Sequence, residues 1–255
     1  MNSMRYFLKL AYQGTNYSGW QRQVNTPHTI QEAIEEALSK MLNCPMYIHG
    51  CGRTDTGVHA TEYFIHLDIE HLPAYDFISR INHILPDDIS VSNLIKVKPN
   101  ANAQHDAKWR TYKYDFHLIK TPKLFHTSSY YNYDDLDFDK MNLAIEIIKS
   151  TKDFRSLCKH PDLYKNTECI IKDARIDKLE GLERYKFTII ANRFLRGMIR
   201  YMIARILDIG EGKLKVDDFE KQLKSKQSFE FPYHKQGHPQ GLYLSKIDYP
   251  DTIFE

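Results

Sequence analysis

Cysteine is scarce in this sequence, and the spacing of its thiols does not suit a metal site. There are four cysteines among 255 residues, and no two of them are separated by just two residues. The nearest approach to a ligand cluster is Cys158 with His160 and Cys169, which lacks a second close pair of ligands. We therefore expect no bound metal and the reduced thiols of a cytosolic protein.

Long apolar runs and a large net charge are also absent. No uninterrupted apolar stretch approaches the roughly 20 residues that a membrane span requires. The first residues lack the basic-then-apolar pattern of a secretory signal. We expect a cytoplasmic protein with no membrane partner. The net charge is only +2, so a nucleic acid would have to bind a local basic patch.

The sequence does contain enough apolar residues for a core, at 42% hydrophobic. In the first hundred residues, Thr29 and Glu32 form a capping box at the start of a predicted helix. Strands are predicted over 5–12, 45–49, 61–69 and 89–97, and helices over 29–42 and 77–85. This order is ferredoxin-like and is shared with RNA-recognition modules.

The second half repeats the alternation of sheet and helix after a predicted linker over 98–104, so we divide the chain into residues 1–104 and 105–255. Strands are predicted over 109–118, 170–179, 185–191 and 241–250, and helices over 141–148, 193–205 and 216–223. Residues 125–133 are predicted as a covered strand, with an RNA-facing aromatic loop as the alternative. The helix over 193–205 would place Arg193, Arg196 and Arg200 close together on one face. Such a stripe is typical of either a phosphate-binding surface or a solvated face.

The stretch most suggestive of chemistry is the glycine-rich loop over residues 50–60, between two predicted strands. Its three glycines indicate a tight, shaped loop. The loop presents one acid, Asp55, with Arg53 two residues before it. A nearby guanidinium favours the ionised and nucleophilic form of a carboxylate. On composition alone, an ordinary glycine-rich turn with a surface acid fits as well.

Residues 52–60, GRTDTGVHA, resemble the signature of the tRNA pseudouridine synthase A family. Further stretches resemble other signatures of that family and extend the likeness over nearly the whole chain. They are Tyr17-x-Gly19-Trp20-Gln21, Arg110-x-Tyr112-x-Tyr114, Phe194-Leu195-x-x-Met198-Ile199-Arg200 and Gly241-Leu242-Tyr243-Leu244.

The resemblance implies an α+β fold of two ferredoxin-like, RRM-like halves that share an extended antiparallel sheet with a central catalytic cleft. It also implies a homodimer that binds tRNA and isomerises uridines of the anticodon stem-loop. The reaction breaks the N1–C1′ glycosidic bond, turns the base and rejoins it through C5. There is no redox change, so we expect no cofactor. The target must leave its helical stack, so we expect base flipping.

The resemblance assigns roles to particular residues. Asp55 is the expected nucleophile, and Arg200 is expected to pair with it. Tyr112 is expected to stack on the target base, and its phenol is a candidate acceptor of the C5 proton. The expected RNA contacts are Trp20, Gln21, Arg53, His59, Arg110, Arg193 and Arg196. Whether Asp55 attacks C1′, stabilises a ribosyl cation or acts through a glycal stays open.

The match to the family pattern has three departures. The chain has Glu62-Tyr63 where Gly-Gln is usual, and Asn102-Ala103-Gln104 where His-Ala-Arg is usual. An arginine that is usual in the strand after the predicted turn over 153–157 is missing around Cys169-Ile170. These changes remove positive charge or alter polar contacts, so we hypothesise a shifted or narrower set of target uridines.

Three other functions are considered. A catalytically inactive RNA-binding protein on the same fold would need the aromatic and basic residues but not Asp55. A synthase acting on a different RNA would keep the chemistry. An aspartic protease is suggested only by Asp55-Thr56-Gly57. It would need two carboxylates that share a proton, which Arg53 would oppose.

Overall fold

The computed structural model describes residues 3–181, 183–225, 227 and 236–255. The chain divides into two compact units. The first unit is Met1–Arg110 together with Tyr243–Glu255, and the second is Thr111–Leu242. The division predicted from sequence, at residues 104 and 105, stays a prediction.

The described residues form strands and α-helices in a mixed order, and the predicted α+β class is confirmed. The strands are β1 Met4–Tyr12, β2 His49–Gly50, β3 His59–Ile69, β4 Ile89–Lys96, β5 Trp109–His117, β6 Ser129–Tyr130, β7 Ile171–Leu179, β8 Arg184–Ala191 and β9 Leu242–Asp248. The helices are α1 Ile30–Leu42, α2 Phe77–Asn82, α3 Phe138–Ser150, α4 Met198–Gly210 and α5 Val216–Ser225.

In the first unit the strand order is β4-β1-β3-β9, and β2 pairs with β3. Strand β1 runs antiparallel to both β3 and β4. The β3–β9 pair is parallel, with His59 opposite Tyr243. The last strand of the chain therefore returns to the first unit and lies next to the strand that follows the Asp55 loop.

Helix α1 begins as the capping box predicts. The Thr29 hydroxyl accepts a hydrogen bond from the Glu32 backbone N–H at 3.3 Å. The Glu32 carboxylate reaches back to the N–H of His28 at 3.1 Å, one residue earlier than the usual reciprocal bond. Two further N–H groups of the first turn, those of Ile30 and Gln31, donate to the carbonyls of Gly19 and Trp20. The start of α1 therefore holds the loop that carries Trp20.

In the second unit the strand order is β5-β8-β7, and β6 pairs with β5. Strands β7 and β8 form the predicted antiparallel pair. The apolar stripes of α3 and α4 are buried, as their periodicity predicts. The ferredoxin-like character of each half, the shared sheet and the cleft stay predictions.

Three predicted elements are shorter in the structure. The strand predicted over 45–49 is reduced to β2, and the strand predicted over 125–133 to β6. Helix α2 ends at Asn82, although Pro86 alone would permit it to continue to Leu85. An apolar run flanked by turn residues does not by itself determine how many of its residues pair with a neighbouring strand.

The helix predicted from Arg193 begins only at Met198, which is a correction to the prediction. Gly197 has φ 73° and precedes the first turn of α4, in the left-handed region that glycine tolerates best. Arg193 and Arg196 therefore precede α4 and do not share a helix face with Arg200.

None of the helices in the described part of the chain is long and apolar enough to cross a membrane. Among the same residues, no three His, Cys, Asp or Glu side chains are grouped so that they can hold a metal ion.

Candidate active site

The loop that carries Asp55 connects β2 to β3, and hydrogen bonds hold its backbone at several points. The Trp20 N–H donates to the Thr54 carbonyl at 3.1 Å, and the Val58 N–H donates to the Asp55 carbonyl at 3.1 Å. The hydroxyl of Tyr63, on β3, donates to the Gly52 carbonyl. The main chain is therefore held on both sides of Arg53.

Aromatic side chains pack beneath this loop. The indole of Trp20 is 2% exposed and stacks on the Tyr63 ring with centroids 4.1 Å apart. The hydroxyls of Tyr12 and Thr54 are hydrogen-bonded at 2.8 Å. Gly50 lies against both stacked rings, and a Cβ there would overlap the Tyr63 hydroxyl and come within 2.7 Å of the indole.

Within the loop, the two charged side chains differ in exposure. Asp55 is half-buried, whereas Arg53 is exposed. Burial raises the pKa of the neighbouring Cys51 thiol to about 12, so this thiol stays protonated and does not compete as a nucleophile. The loop therefore has one acidic side chain, that of Asp55, and part of it is exposed to solvent.

His59 is buried just after the loop, at 1% exposure. Its Nδ1 accepts a hydrogen bond from the Gly14 N–H at 3.0 Å, and its ring lies 4.7 Å from that of Tyr243. In this conformation His59 and Trp20 are enclosed, so the RNA contacts predicted for them would require the surrounding segments to move. Those contacts stay predictions.

Gln21 and Arg110 are already engaged with other parts of the first unit. The Gln21 side-chain amide donates to the Gln31 side chain at 2.7 Å. The Arg110 guanidinium donates to the carbonyls of Gln104 at 2.6 Å and Cys51 at 3.2 Å. Arg110 thus links the start of the Asp55 loop to the segment before β5. The RNA contacts predicted for both residues stay predictions.

In the second unit, Tyr112 lies on β5 with 8% of its surface exposed. Its ring contacts Phe194 edge-on, with centroids 5.1 Å apart and planes at 80°. This contact orients the Tyr112 ring, because an edge-on aromatic pair has a preferred geometry.

Arg200 lies in the first turn of α4 and is 5% exposed, so the solvated-face interpretation of this residue is wrong. Its Nε donates to the Gly237 carbonyl at 2.7 Å, and the Gly237 N–H donates back to the Arg200 carbonyl at 2.9 Å. Burial lowers the pKa of the adjacent His238, and the Arg200 charge lowers it further. The guanidinium is therefore a buried cation with a fixed orientation.

Arg193 and Arg196 lie in the segment between β8 and α4, and Arg196 is in the turn directly before the helix. Arg193 is half-buried and Arg196 is exposed. The backbone of Arg196 is held on both sides. Its N–H donates to the Tyr164 hydroxyl at 3.1 Å, and its carbonyl accepts from the Lys159 N–H at 2.8 Å. The exposed Arg196 side chain is thus carried by a fixed main chain.

A buried hydroxyl network in the second unit is not predicted by the sequence patterns. The Tyr114 hydroxyl donates to Ser129 at 2.9 Å and is hydrogen-bonded to the Tyr131 hydroxyl at 2.7 Å. The Tyr131 oxygen accepts from the His238 N–H at 3.3 Å. Burial raises the pKa of Tyr114 to about 12. Tyrosines clustered over 130–133 are visible in the sequence, but nothing there says that they pair with Tyr114.

Comparisons with known proteins identify the family of this chain. A family model described as tRNA pseudouridine synthase matches residues 146–250. A Bacteroides thetaiotaomicron protein named tRNA pseudouridine synthase A is 40% identical over 98% of this chain and 92% of its own length. A Bacteroides fragilis protein of the same name is 40% identical over the full length of both. The chain belongs to the tRNA pseudouridine synthase A family. A more distant member, from Staphylococcus aureus strain JH1, is 30% identical over 96% of the chain.

Membership in the tRNA pseudouridine synthase A family confirms the predicted enzyme class, an isomerase. Isomerising uridine to pseudouridine requires a nucleophile or a group that stabilises an ion, a surface that retains the detached base, and a group that accepts the C5 proton. The first unit offers the Asp55 carboxylate on a fixed loop. The second offers the oriented ring of Tyr112 and the buried guanidinium of Arg200.

The sequence did not indicate that Tyr63 holds the Asp55 loop. In the sequence, Tyr63 stands out only as a departure from the family pattern. In the structure its hydroxyl donates to the Gly52 carbonyl of the Asp55 loop, and its ring stacks on Trp20. The available signal was a glycine at position 50 followed by an aromatic residue on the next strand, because a residue without Cβ allows a ring to approach the backbone closely.

Proposed function

We propose that this chain isomerises uridine to pseudouridine in the anticodon stem-loop of tRNA, with Asp55 as the nucleophile. The observation that carries the proposal is the half-buried Asp55 carboxylate on a loop whose main chain is hydrogen-bonded at residues 52, 54 and 55. A fixed loop holds the reacting oxygen in one orientation, which lowers the entropic part of the barrier.

In the proposed reaction Asp55 acts at C1′ as the N1–C1′ bond breaks, and the base turns so that C5 forms the new bond to C1′. The C5 proton leaves and N1 gains a proton, so the product is an isomer of the substrate. Tyr112 stacks on the base while it is detached, and its phenol is our candidate for the proton acceptor. Arg200 is our candidate for the cation that pairs with Asp55.

The RNA backbone is proposed to contact the exposed arginines at positions 53 and 196. Contacts of this kind position a nucleic acid without reading its sequence. Because the net charge of the chain is only +2, such local cations would supply most of the attraction. We also propose, from family membership alone, that the protein acts as a homodimer in the cytoplasm.

The test is release of tritium to water from tRNA that carries tritium at uridine C5. Asp55→Asn keeps the shape of the side chain but removes its charge, so we expect release to fall on the order of 10³-fold or more. Asp87→Asn, at an exposed position of the same unit, is the matched control and should retain wild-type release.

The alternatives give different results in the same assay. An inactive RNA-binding protein would bind tRNA tightly and release no tritium, and Asp55→Asn would leave binding unchanged. A synthase for a different RNA would release tritium from that RNA only. Mapping of modified sites in cells that lack the protein tests the narrower substrate set. Loss of all the usual anticodon-arm sites, and no others, would contradict a shifted specificity.

A further inference from the structure

Tyr63 occupies one of the positions where this chain departs from the family pattern. It lies on β3 and is fully buried. The register between β1 and β3 shifts just before it, since Tyr12 is opposite Ala60 whereas Leu10 is opposite Tyr63. One extra residue on β3 therefore forms a bulge, and bulges redirect the side chains that follow them.

The Tyr63 side chain meets the Asp55 loop in two ways. Its hydroxyl donates to the Gly52 carbonyl, and its ring stacks on the Trp20 indole. The backbone N–H of Trp20 donates to the Thr54 carbonyl at 3.1 Å. Trp20 and Tyr63 thus form one stacked pair that holds two carbonyls of the loop.

The close fit of the surrounding glycines shows that this pair has little room to shift. A Cβ at Gly50 would overlap the Tyr63 hydroxyl and lie 2.7 Å from the Trp20 indole, and a Cβ at Gly19 would lie 2.8 Å from the Thr54 carbonyl. Tight packing of this kind transmits a displacement from one group to the next, because close-packed interiors have little free volume.

We propose that Tyr63 is a positioning residue for Asp55, and this inference rests on the function proposed above. The hydroxyl fixes the Gly52 carbonyl, three residues before the nucleophile, and the stacked ring fixes Trp20 and through it Thr54. Loss of the hydroxyl removes no side chain of the loop but releases one of the two carbonyls. A misplacement of about 1 Å at a reacting group is enough to slow a reaction roughly 100-fold.

The first experiment compares Tyr63→Phe with Tyr75→Phe. Tyr75 also donates its hydroxyl to a main-chain carbonyl, that of Met41 at 3.1 Å, but lies at an exposed position. For Tyr63→Phe we expect kcat for tritium release to fall about 10- to 100-fold, with KM for tRNA within about twofold of wild type. Tyr75→Phe should match the wild type in both constants.

Two outcomes overturn the proposal. A rise in KM with unchanged kcat would make Tyr63 part of the RNA-binding surface. Equal kcat for Tyr63→Phe and Tyr75→Phe would show that the hydroxyl does not position the nucleophile.

A second measurement does not depend on activity. Amide hydrogen exchange over residues 50–58 should be faster in Tyr63→Phe than in Tyr75→Phe, because the loop loses one attachment to β3. Unchanged exchange would overturn the positioning role. If the wild type itself releases no tritium, the proposed function fails, while faster exchange would still establish that Tyr63 holds the loop.

Discussion

At the scale of single residues, two glycines of the Asp55 loop differ in the space beside their Cα atoms. Gly50 contacts the stacked rings of Trp20 and Tyr63, whereas an added Cβ at Gly52 would meet no atom within 4 Å. Two glycines in the same loop therefore serve different purposes. Gly50 permits a close approach of aromatic rings, and Gly52 leaves open space.

This contrast predicts different effects of the same substitution. Gly50→Ala should lower the free energy of unfolding by about 1–3 kcal/mol, because the new methyl group forces the rings apart. Gly52→Ala should change it by less than about 0.5 kcal/mol. Urea denaturation of both variants measures the difference. Equal destabilisation would contradict the packing described for Gly50.

The residues of the candidate site were predictable to different degrees. The glycines over 50–57 predict a tight loop, and the structure has a loop between β2 and β3 in which Asp55 is half-buried. The role of Asp55 as nucleophile stays a prediction. The burial of Arg200 was not predictable from its sequence, because a helical pattern shows which side chains share a face but not what covers that face. The carbonyl that accepts its Nε belongs to Gly237, a distant part of the chain.

At the scale of elements, α1 connects helix capping to the site. Its first backbone N–H groups donate to the carbonyls of Gly19 and Trp20 in the preceding loop. The backbone N–H of Trp20 in turn donates to the Thr54 carbonyl. The Thr29 cap therefore stabilises both the helix and the segment that supports the Asp55 loop.

We expect Thr29→Ala to lower the free energy of unfolding by about 1 kcal/mol, since the Glu32 N–H loses its acceptor. Thr29→Ser keeps the hydroxyl and should retain most of the stability. Thermal or urea unfolding of the two variants checks this, and equal losses would indicate that the methyl group, rather than the cap, is responsible.

Helix α4 shows that the periodicity of apolar residues is insufficient to predict where a helix begins. The apolar residues from Leu195 onward fit a helical pattern, yet the helix begins at Met198, after Gly197 with φ 73°. The positive φ at this glycine is a backbone property that side-chain periodicity does not report. As a result, Arg196 lies outside the helix and stays exposed.

At the scale of the whole molecule, buried histidines link folding to pH. The pKa of His66 is lowered to about 4, first by burial and then by the charges of Arg5 and His49, and the carboxylates of Asp68 and Asp106 oppose this shift. Between pH 6.5 and 4 the unfolded chain therefore binds a proton at this site that the folded chain does not.

The free energy of unfolding should consequently fall as the pH is lowered from about 6.5 to about 4. Protonation would also disrupt the hydrogen bond that Nδ1 accepts from the Ala103 N–H at 3.1 Å. His66→Gln should show a smaller decrease over this range than wild type, whereas His71→Gln, at an exposed position, should keep the full decrease. Urea unfolding at several pH values measures it, and identical slopes in all three proteins would contradict the assignment.

By itself, the sequence determined the family, the loop that bears Asp55 and the elements with strong periodicity, because these depend on residues close together in the chain. Only the tertiary structure decided which side chains support that loop and which charges are buried. The stacking of Trp20 on Tyr63 and the parallel pairing of β9 with β3 join segments far apart in sequence. Such contacts depend on the packing of the whole unit, and no local pattern of residues specifies them.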